Sequence, residues 1–270
     1  MAHTRLTTAT LALAIALIQT PAVAQSGRPR LHINPRWKNC SFQLDSSLTQ
    51  SAWHQFTEEA GLVAYFRPIS DAGPMGKWKF EISMLQSQTG IDDTDSAWND
   101  TFVHPDSTHW LFEGNGLKFP GLMARVGVAS KTDVGLYFTK SPGANYGFLG
   151  GQLQHSLVGD TTRAWAAAVR ASFVSMYGPA DLSFRVYGVE LLASRRFVVS
   201  KWATLSPYVG ASTYLSSSHE KTAAVSLDDE HVAGAQAMLG TAVQLSVVRL
   251  GVEYNVAKVQ SLTLKVGIGR

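Results

Sequence analysis

Apolar and polar side chains alternate strictly through the last ten residues of the chain. The apolar positions are Leu262, Leu264, Val266 and Ile268, and the positions between them are polar or glycine. Successive side chains of a strand point to opposite faces, so this pattern predicts a strand with one apolar and one polar face. Such a strand separates two environments of different polarity.

The same alternation returns repeatedly from Gly76 onward. Ten segments carry it, at residues 78–84, 122–128, 134–138, 146–150, 165–173, 182–186, 203–214, 232–245, 248–254 and 261–270. Short polar turns separate several of them, as in antiparallel hairpins. We predict an all-β, antiparallel, up-and-down barrel over residues 76–270. Ten strands are expected, and twelve are the alternative if the preceding residues contribute more.

The connections between these segments differ in length on the two sides of the predicted barrel. Residues 90–116, 175–181 and 215–231 fall on one side, whereas the short turns at 130–133, 159–162, 199–202 and 246–247 fall on the other. An even strand number returns the end of the chain to the short-turn side. The strand that begins near Gly76 and the final strand are therefore expected to pair and close the barrel.

The beginning of the chain has the features of a secretory signal. A basic start at Met1 to Arg5 precedes an apolar stretch at Leu11 to Ile18 and the small residues Ala22-Val23-Ala24. The apolar stretch is shorter than the roughly 20 residues that a spanning helix needs. Residues 1–24 are therefore predicted to be a signal peptide that is removed.

Composition narrows the class of protein. Charged residues make up 16% of the chain, with 23 Lys and Arg against 20 Asp and Glu, and no later apolar run is long enough for a transmembrane helix. The single cysteine, Cys40, cannot form an internal disulfide. No glycine-rich phosphate loop or basic, aromatic-rich surface indicates nucleotide or nucleic-acid binding.

From Gly76 to Arg270 the chain resembles the bacterial outer-membrane β-barrel proteins as a class. The resemblance rests on the alternating strands, the two-sided loop lengths and aromatic residues near predicted strand ends: Trp78, Trp165, Trp202, Tyr208 and Tyr254. It implies an outer-membrane location, contact with lipid and lipopolysaccharide, and handling by the barrel-assembly machinery. Proteins of this class commonly end on an aromatic residue, whereas this chain ends on Arg270.

Residues 25–75 form a different kind of segment before the barrel. Leu48, Ala52, Phe56 and Ala60 recur every four residues and predict an amphipathic helix over about 47–60, capped by one of residues 45–47 and ended by Gly61. The helix either plugs a mouth of the barrel or packs under the periplasmic rim. Residues 62–66 are either an extra strand or an extended part of the plug.

Charged residues that alternate with apolar residues along the predicted strands are expected to point into the lumen. They are Lys79, Glu81, Arg125, Arg170, Arg185, Arg249, Glu253 and Lys265, and Glu190 joins them if a bulge near Gly188 shifts the strand face. The set is mildly cationic. It is expected either to line a narrow passage that prefers anionic solutes or to fill a closed interior with paired charges.

Candidates for catalysis or metal binding are weaker. His155 and Ser156 are neighbours, so in a strand they point to opposite faces and cannot form a simple base and nucleophile. An acidic loop could offer oxygen and imidazole ligands from Asp92, Asp93, Asp95, His104 and His109. Their spacing matches no calcium or zinc motif, so a hydrated surface loop is the preferred interpretation, and no cofactor is expected.

These observations lead to three hypotheses for function. The first is a porin-like passage for small solutes, with the solute itself unspecified. The second is a closed barrel that serves structure or surface interaction through its long outer loops. The third, an outer-membrane lipid hydrolase, has the least support from the residues.

Overall fold

The computed structural model describes residues 41–92, 95–103, 117–140, 144–160 and 164–270. The predicted signal peptide and Cys40 lie outside the described residues. Two helices are described, α1 (Gln50–Ala64) and α2 (Ser96–Asn99). The strands are β1 (Ser41–Phe42), β2 (Phe80–Thr89), β3 (Phe102–Val103), β4 (Leu117–Gly127), β5 (Thr132–Lys140), β6 (Gly147–Asp160), β7 (Trp165–Tyr177), β8 (Leu182–Arg195), β9 (Phe197–Ser200), β10 (Ala203–Glu220), β11 (Glu230–Leu245), β12 (Val248–Val256) and β13 (Ser261–Gly269).

Ten long strands form one closed antiparallel barrel, which confirms the predicted fold and strand number. Each strand pairs with its neighbours along the barrel, and the pairing of β10 with β11 completes the circle. Short β9 continues the path of β8 and also pairs with β10. The closing pair is β13 with β2, in register from Ser261 opposite Thr89 to Gly269 opposite Glu81.

The two ends of the barrel differ as the loop lengths indicate. The hairpins β4–β5 and β11–β12 turn tightly at one end, which we call the short-turn end. Residues 90–116 and 221–229 connect strands at the opposite, long-loop end. In outer-membrane barrels the long loops face outward and the short turns face the periplasm.

Helix α1 lies inside the long-loop end of the barrel, against the inner face of β10. Thr57 Oγ1 bonds Ser218 Oγ, and the Tyr214 hydroxyl donates to the carbonyl of Glu58 at 3.4 Å. A Cβ atom at Gly61 would lie only 2.8 Å from Cβ of Ser216, so glycine lets the helix approach the wall. The placement under the periplasmic rim, one of the two expected positions, is therefore wrong.

The limits of α1 also differ from the expected 47–60. Thr49, rather than residues 45–47, is the N-cap, since its side chain accepts a hydrogen bond from the amide of Ala52 at 3.3 Å. The helix passes through Gly61 and ends at Ala64. Three residues later, Arg67 is kept out of helical geometry because Pro68 follows it. Packing against the barrel wall sustains the additional turn.

After α1, the chain runs down the lumen as an extended segment from Tyr65 to Met75, which we call the threading segment. It reaches the short-turn end, where Gly76 leads into β2. The predicted extra strand at 62–66 is thus partly the last turn of α1 and partly this segment. We call α1 and the threading segment together the plug.

Candidate functional site

Buried ion pairs line the inner wall in the short-turn half of the lumen. The Lys265 ammonium donates to Glu81 Oε1 at 2.6 Å, and Arg170 pairs with Glu190. Arg170 also donates to Gln154 Oε1 at 2.8 Å. A buried charge is costly unless it is paired and hydrogen-bonded, and these contacts satisfy that requirement.

The threading segment is tied to this wall by hydrogen bonds from several strands. Arg170 Nη2 donates to Ser70 Oγ at 3.0 Å, which links the plug directly to the ion pair of the wall. Both backbone polar groups of Ala72 are bonded. The Ser156 hydroxyl donates to its carbonyl at 2.9 Å, and the Ser194 hydroxyl accepts from its N–H at 3.1 Å. Strands β6, β7 and β8 therefore all fix the segment.

Two further charged groups fix its ends. Asp133 on β5 accepts from the amide of Met75 at 3.1 Å and lies 3.5 Å from the Arg125 guanidinium. At the other end Arg67 donates to the carbonyls of Leu62 and Tyr65 at 2.5 and 3.2 Å. A cation there satisfies carbonyls at the end of α1 and complements its dipole.

Glycines in the wall create slots for side chains of the threading segment. A Cβ at Gly188 would lie 2.4 Å from the hydroxyl of Tyr65, and one at Gly251 would lie 2.5 Å from Cγ2 of Ile69. Ile69 is fully buried with φ of 47°, a conformation that is strained for a β-branched residue. The surrounding contacts must offset a cost on the order of 1–3 kcal/mol.

The long-loop half of the lumen has a different character, because it is filled by aromatic rings. Trp53 stacks on Phe56 with ring centroids 5.4 Å apart, and Phe56 meets Phe184 of β8 edge-on at 6.3 Å. The cluster continues through Phe42, Trp98, Phe102, Tyr146 and Phe148. Aromatic side chains therefore fill this half of the lumen.

Helix α2 and the small sheet of β1 and β3 cap this aromatic cluster. The indole of Trp98 donates to Glu59 Oε2 at 2.7 Å, and the Asn145 side chain donates to the carbonyl of Phe42 at 2.6 Å. Burial raises the pKa of the Asp100 carboxyl at the end of α2. The cap therefore joins the plug to the strand ends.

A cavity of about 180 Å³ remains at the short-turn end, between the threading segment and the wall. Its charged lining residues are Asp71, Lys79, Glu81, Arg125, Arg196, Arg249 and Lys265. Cations outnumber carboxylates in this lining. Lys79 is exposed and Arg249 is half-buried, so the cavity opens toward the short-turn end.

The structure places six of the predicted lumen residues on the inner face of the barrel: Glu81, Arg125, Arg170, Arg249, Glu253 and Lys265. Lys79 precedes β2 and lies at the rim of the cavity. Arg185 does not line the lumen: it is exposed on the outer face of β8. Its Cα partners are Ser175 and Ser217, which form a polar collar toward the long-loop end.

The error at Arg185 and the placement of Glu190 have the same cause. Phe184 and Val186 face inward, because they pack against the plug rather than against lipid. Glu190 has the same parity and points inward with no bulge near Gly188, since the pairing of β8 with β10 is continuous there. Polarity alone thus assigned the wrong face to this strand.

Other important residues were missed by the sequence patterns. Tyr208 was expected at the lipid interface, but it is buried in the lumen and donates to Glu253 Oε2 at 2.7 Å. Arg67, Gln154 and Asp133 carried no recognisable signal. The turn-rich sequence around Asp71 indicated an irregular segment but not one that crosses a lumen.

The weaker catalytic and metal candidates that the structure describes are not brought together. His155 is exposed and lies 3.0 Å from Thr132 Oγ1, whereas Ser156 points inward to Ala72. Asp95 caps α2. Asp93, His104 and His109 lie outside the described residues, and among those described, including Asp92, no group of three potential ligands is placed to hold a metal.

The side chains on the outer face of the barrel indicate whether lipid or water surrounds it. Every barrel strand exposes a large apolar side chain there: Met84, Leu122, Leu136, Leu149, Phe173, Leu191, Val209, Leu239, Val252 and Val266. Trp78, Trp165 and Trp202 lie outward near the short-turn end, and Tyr177 and Tyr254 near the other. An apolar belt around a closed barrel, bordered by aromatics, matches a bilayer and not water.

The described residues therefore form a closed β-barrel whose outer surface suits a lipid bilayer. Neither described helix is long and apolar enough to cross a bilayer. No protein-family model and no curated protein match the chain.

Several solved structures are similar to the chain. One is the translocator domain of the autotransporter NalP from Neisseria meningitidis, with 11% identity, a TM-score of 0.42, and coverage of 84% of this chain and 99% of that one. An outer membrane channel from Pseudomonas putida F1 has 11% identity and a TM-score of 0.37, with 76% and 100% covered. Ail of Yersinia pestis has 13% identity and a TM-score of 0.29, with 72% and 97% covered.

Proposed function

We propose that this protein is a closed outer-membrane barrel that acts through structure and through its long-loop surface, rather than as an open pore. The observation that carries the proposal is the plug, which occupies the lumen from the aromatic cluster to the short-turn cavity. Hydrogen bonds hold it to β5, β6, β7 and β8 and, on another part of the wall, to β10 and β11. An open passage would require that these contacts be broken together.

The buried apolar side chains of the plug set the free-energy cost of moving it out of the lumen. Five of its large side chains are fully buried: Trp53, Phe56, Leu62, Phe66 and Ile69. Returning each to water costs about 1.5–3 kcal/mol, so emptying the lumen costs on the order of 8–15 kcal/mol. Since 1.4 kcal/mol is a tenfold change in population, fewer than about one molecule in 10⁵ would open spontaneously.

The long-loop end supports a role in interaction at the cell surface. Strands β10 and β11 have 18 and 16 residues, which is more than the roughly 9–11 that cross a bilayer. Their extensions are joined to the plug by His54 and Glu230, 2.7 Å apart, and by Gln50, which accepts from the amide of Asp228 at 2.9 Å. Lipopolysaccharide is the partner that we propose for the collar around Arg185, because a phosphate suits an exposed guanidinium.

Conductance across a planar lipid bilayer tests the closed state. The purified wild-type protein is expected to give no discrete channels. Gly188→Val should produce them or a steady leak, because its side chain enters the volume of Tyr65 and displaces the threading segment. The matched control is Gly151→Val on the outer face, where an added Cβ has no neighbour closer than 3.6 Å. Discrete channels in the wild-type protein would overturn the proposal.

Passage of small solutes is the second candidate, and the cationic cavity favours it. The cavity resembles a vestibule on the periplasmic side, but Ser70 to Pro74 of the threading segment border it. Passage would therefore need movement of the plug. Anion-selective channels in the wild-type bilayer recording would favour this candidate over the closed barrel.

A further inference from the structure

We propose that the short-turn cavity is a binding site for a small oxyanion of one or two negative charges, such as inorganic phosphate. The inference is independent of whether the barrel conducts, because it concerns a site on one side of the plug. It rests on the charges of the lining, on an unsatisfied buried donor and on the size of the cavity.

The lining contains more cations than its carboxylates neutralise. Five cationic side chains line it, and three of these have carboxylate partners: Lys265 with Glu81 at 2.6 Å, Arg196 with Asp71 at 3.7 Å, and Arg125 with Asp133 at 3.5 Å. Lys79 and Arg249 have no carboxylate within ion-pair distance among the described residues. Their two charges remain available to an anion.

Arg125 supplies the second observation. The residue is almost completely buried and lines the cavity, yet its Nε has no hydrogen-bond partner among the described residues. A buried guanidinium donor without a partner carries a substantial free-energy cost. The guanidinium of Arg125 therefore adds positive charge to this wall, and the forked donors of Arg249 can bond the acceptor oxygens of an oxyanion in the cavity.

The cavity has room for such a ligand. Its volume of about 180 Å³ is well above the roughly 10–15 Å³ that a single water needs. The charged residues that line it on β2, β4, β12 and β13 point into the barrel, away from the lipid. A free solute that enters from the short-turn end therefore fits better than the phosphate of a membrane lipid.

Titration calorimetry with inorganic phosphate at low ionic strength tests the site, with the full protein in detergent micelles. Wild-type protein should bind phosphate saturably, with one site per chain. Arg249→Gln and Lys79→Gln should each weaken binding by at least about tenfold, since each removes a charge-assisted contact. Lys79 lies in a turn at the rim and is exposed, so its replacement leaves the barrel intact.

Lys77→Gln is the matched control. Lys77 lies two residues from Lys79 and is equally exposed, but it does not line the cavity. Its replacement should leave phosphate affinity unchanged. Equal weakening by Lys77→Gln and Lys79→Gln would show only general electrostatic attraction and would overturn the proposal, as would absence of saturable binding.

A second titration separates the two possible sources of phosphate. Protein in nanodiscs of zwitterionic lipid should bind added phosphate as well as protein in detergent micelles that contain no lipid does. If lipid abolished binding, the occupant would be a headgroup and the free-solute proposal would be wrong.

Discussion

The two halves of the lumen are formed by the same strands and filled by the same plug, but their contacts are of opposite kinds. In the long-loop half α1 packs the ring of Phe56 against Phe184 of the wall. In the short-turn half the extended chain is held by Arg170, which itself pairs with Glu190, and by hydroxyl side chains. The transition occurs along single strands: on β8 the inward positions change from Phe184 to Glu190 within six residues.

This contrast shows how a narrow barrel can be filled by two different segments. A helix has all its internal backbone hydrogen bonds satisfied, so it can pack against apolar walls. An extended segment leaves amides and carbonyls unpaired, so its walls must supply polar partners. The peptide of Ala72, bonded by Ser156 and Ser194, shows this requirement directly.

The largest expected effect comes from the apolar half. Phe56→Ala should lower the free energy of unfolding by about 3–5 kcal/mol, because it leaves a cavity inside the aromatic cluster. Guanidinium unfolding in detergent micelles, followed by tryptophan fluorescence, measures the loss. The control is Phe173→Ala, whose ring is on the outer face and remains in contact with detergent in both states. Equal losses in the two variants would contradict a packed core in this half.

A change in the polar half should depend on charge pairing. Glu190→Gln should cost about 3 kcal/mol, because it leaves the Arg170 guanidinium buried without its carboxylate. The double variant Arg170→Met, Glu190→Leu removes both charges and should recover part of that loss. The same unfolding measurement checks both proteins. A double variant that is less stable than Glu190→Gln would show that the hydrogen bonds of Arg170 to the plug outweigh the pairing.

The smallest effect concerns the beginning of α1. Thr49→Ala should destabilise the helix by about 1 kcal/mol, since it removes the side-chain acceptor for the amide of Ala52. Hydrogen exchange at the first amides of α1 should accelerate about fivefold, as expected for 1 kcal/mol. Ser46→Ala is the control, because Ser46 is exposed and precedes the cap. Faster exchange in the control alone would place the cap at Ser46.

The sequence predicted the barrel well because the outer face touches a single environment, the lipid. On β13, Leu262 to Ile268 had to alternate whatever lay inside, and the same applies to β2 and β7. The inner face has no such uniform neighbour. Arg185 and Tyr208 were therefore misplaced, because the polarity of an inward position depends on which part of the plug it meets.

The alternation of apolar residues and the difference in loop length determined, from the sequence alone, the strand number, the closing pair β2 with β13, and the outward positions of strands such as β2, β7 and β13. These depend on period and parity, which are local properties of a strand. Only the tertiary structure decided that α1 enters the long-loop end, that Tyr65 to Met75 crosses the lumen, and that Lys79 and Arg249 border one cavity. These arrangements join residues far apart in the chain, and steric fit at Gly188 and Gly251 selects them.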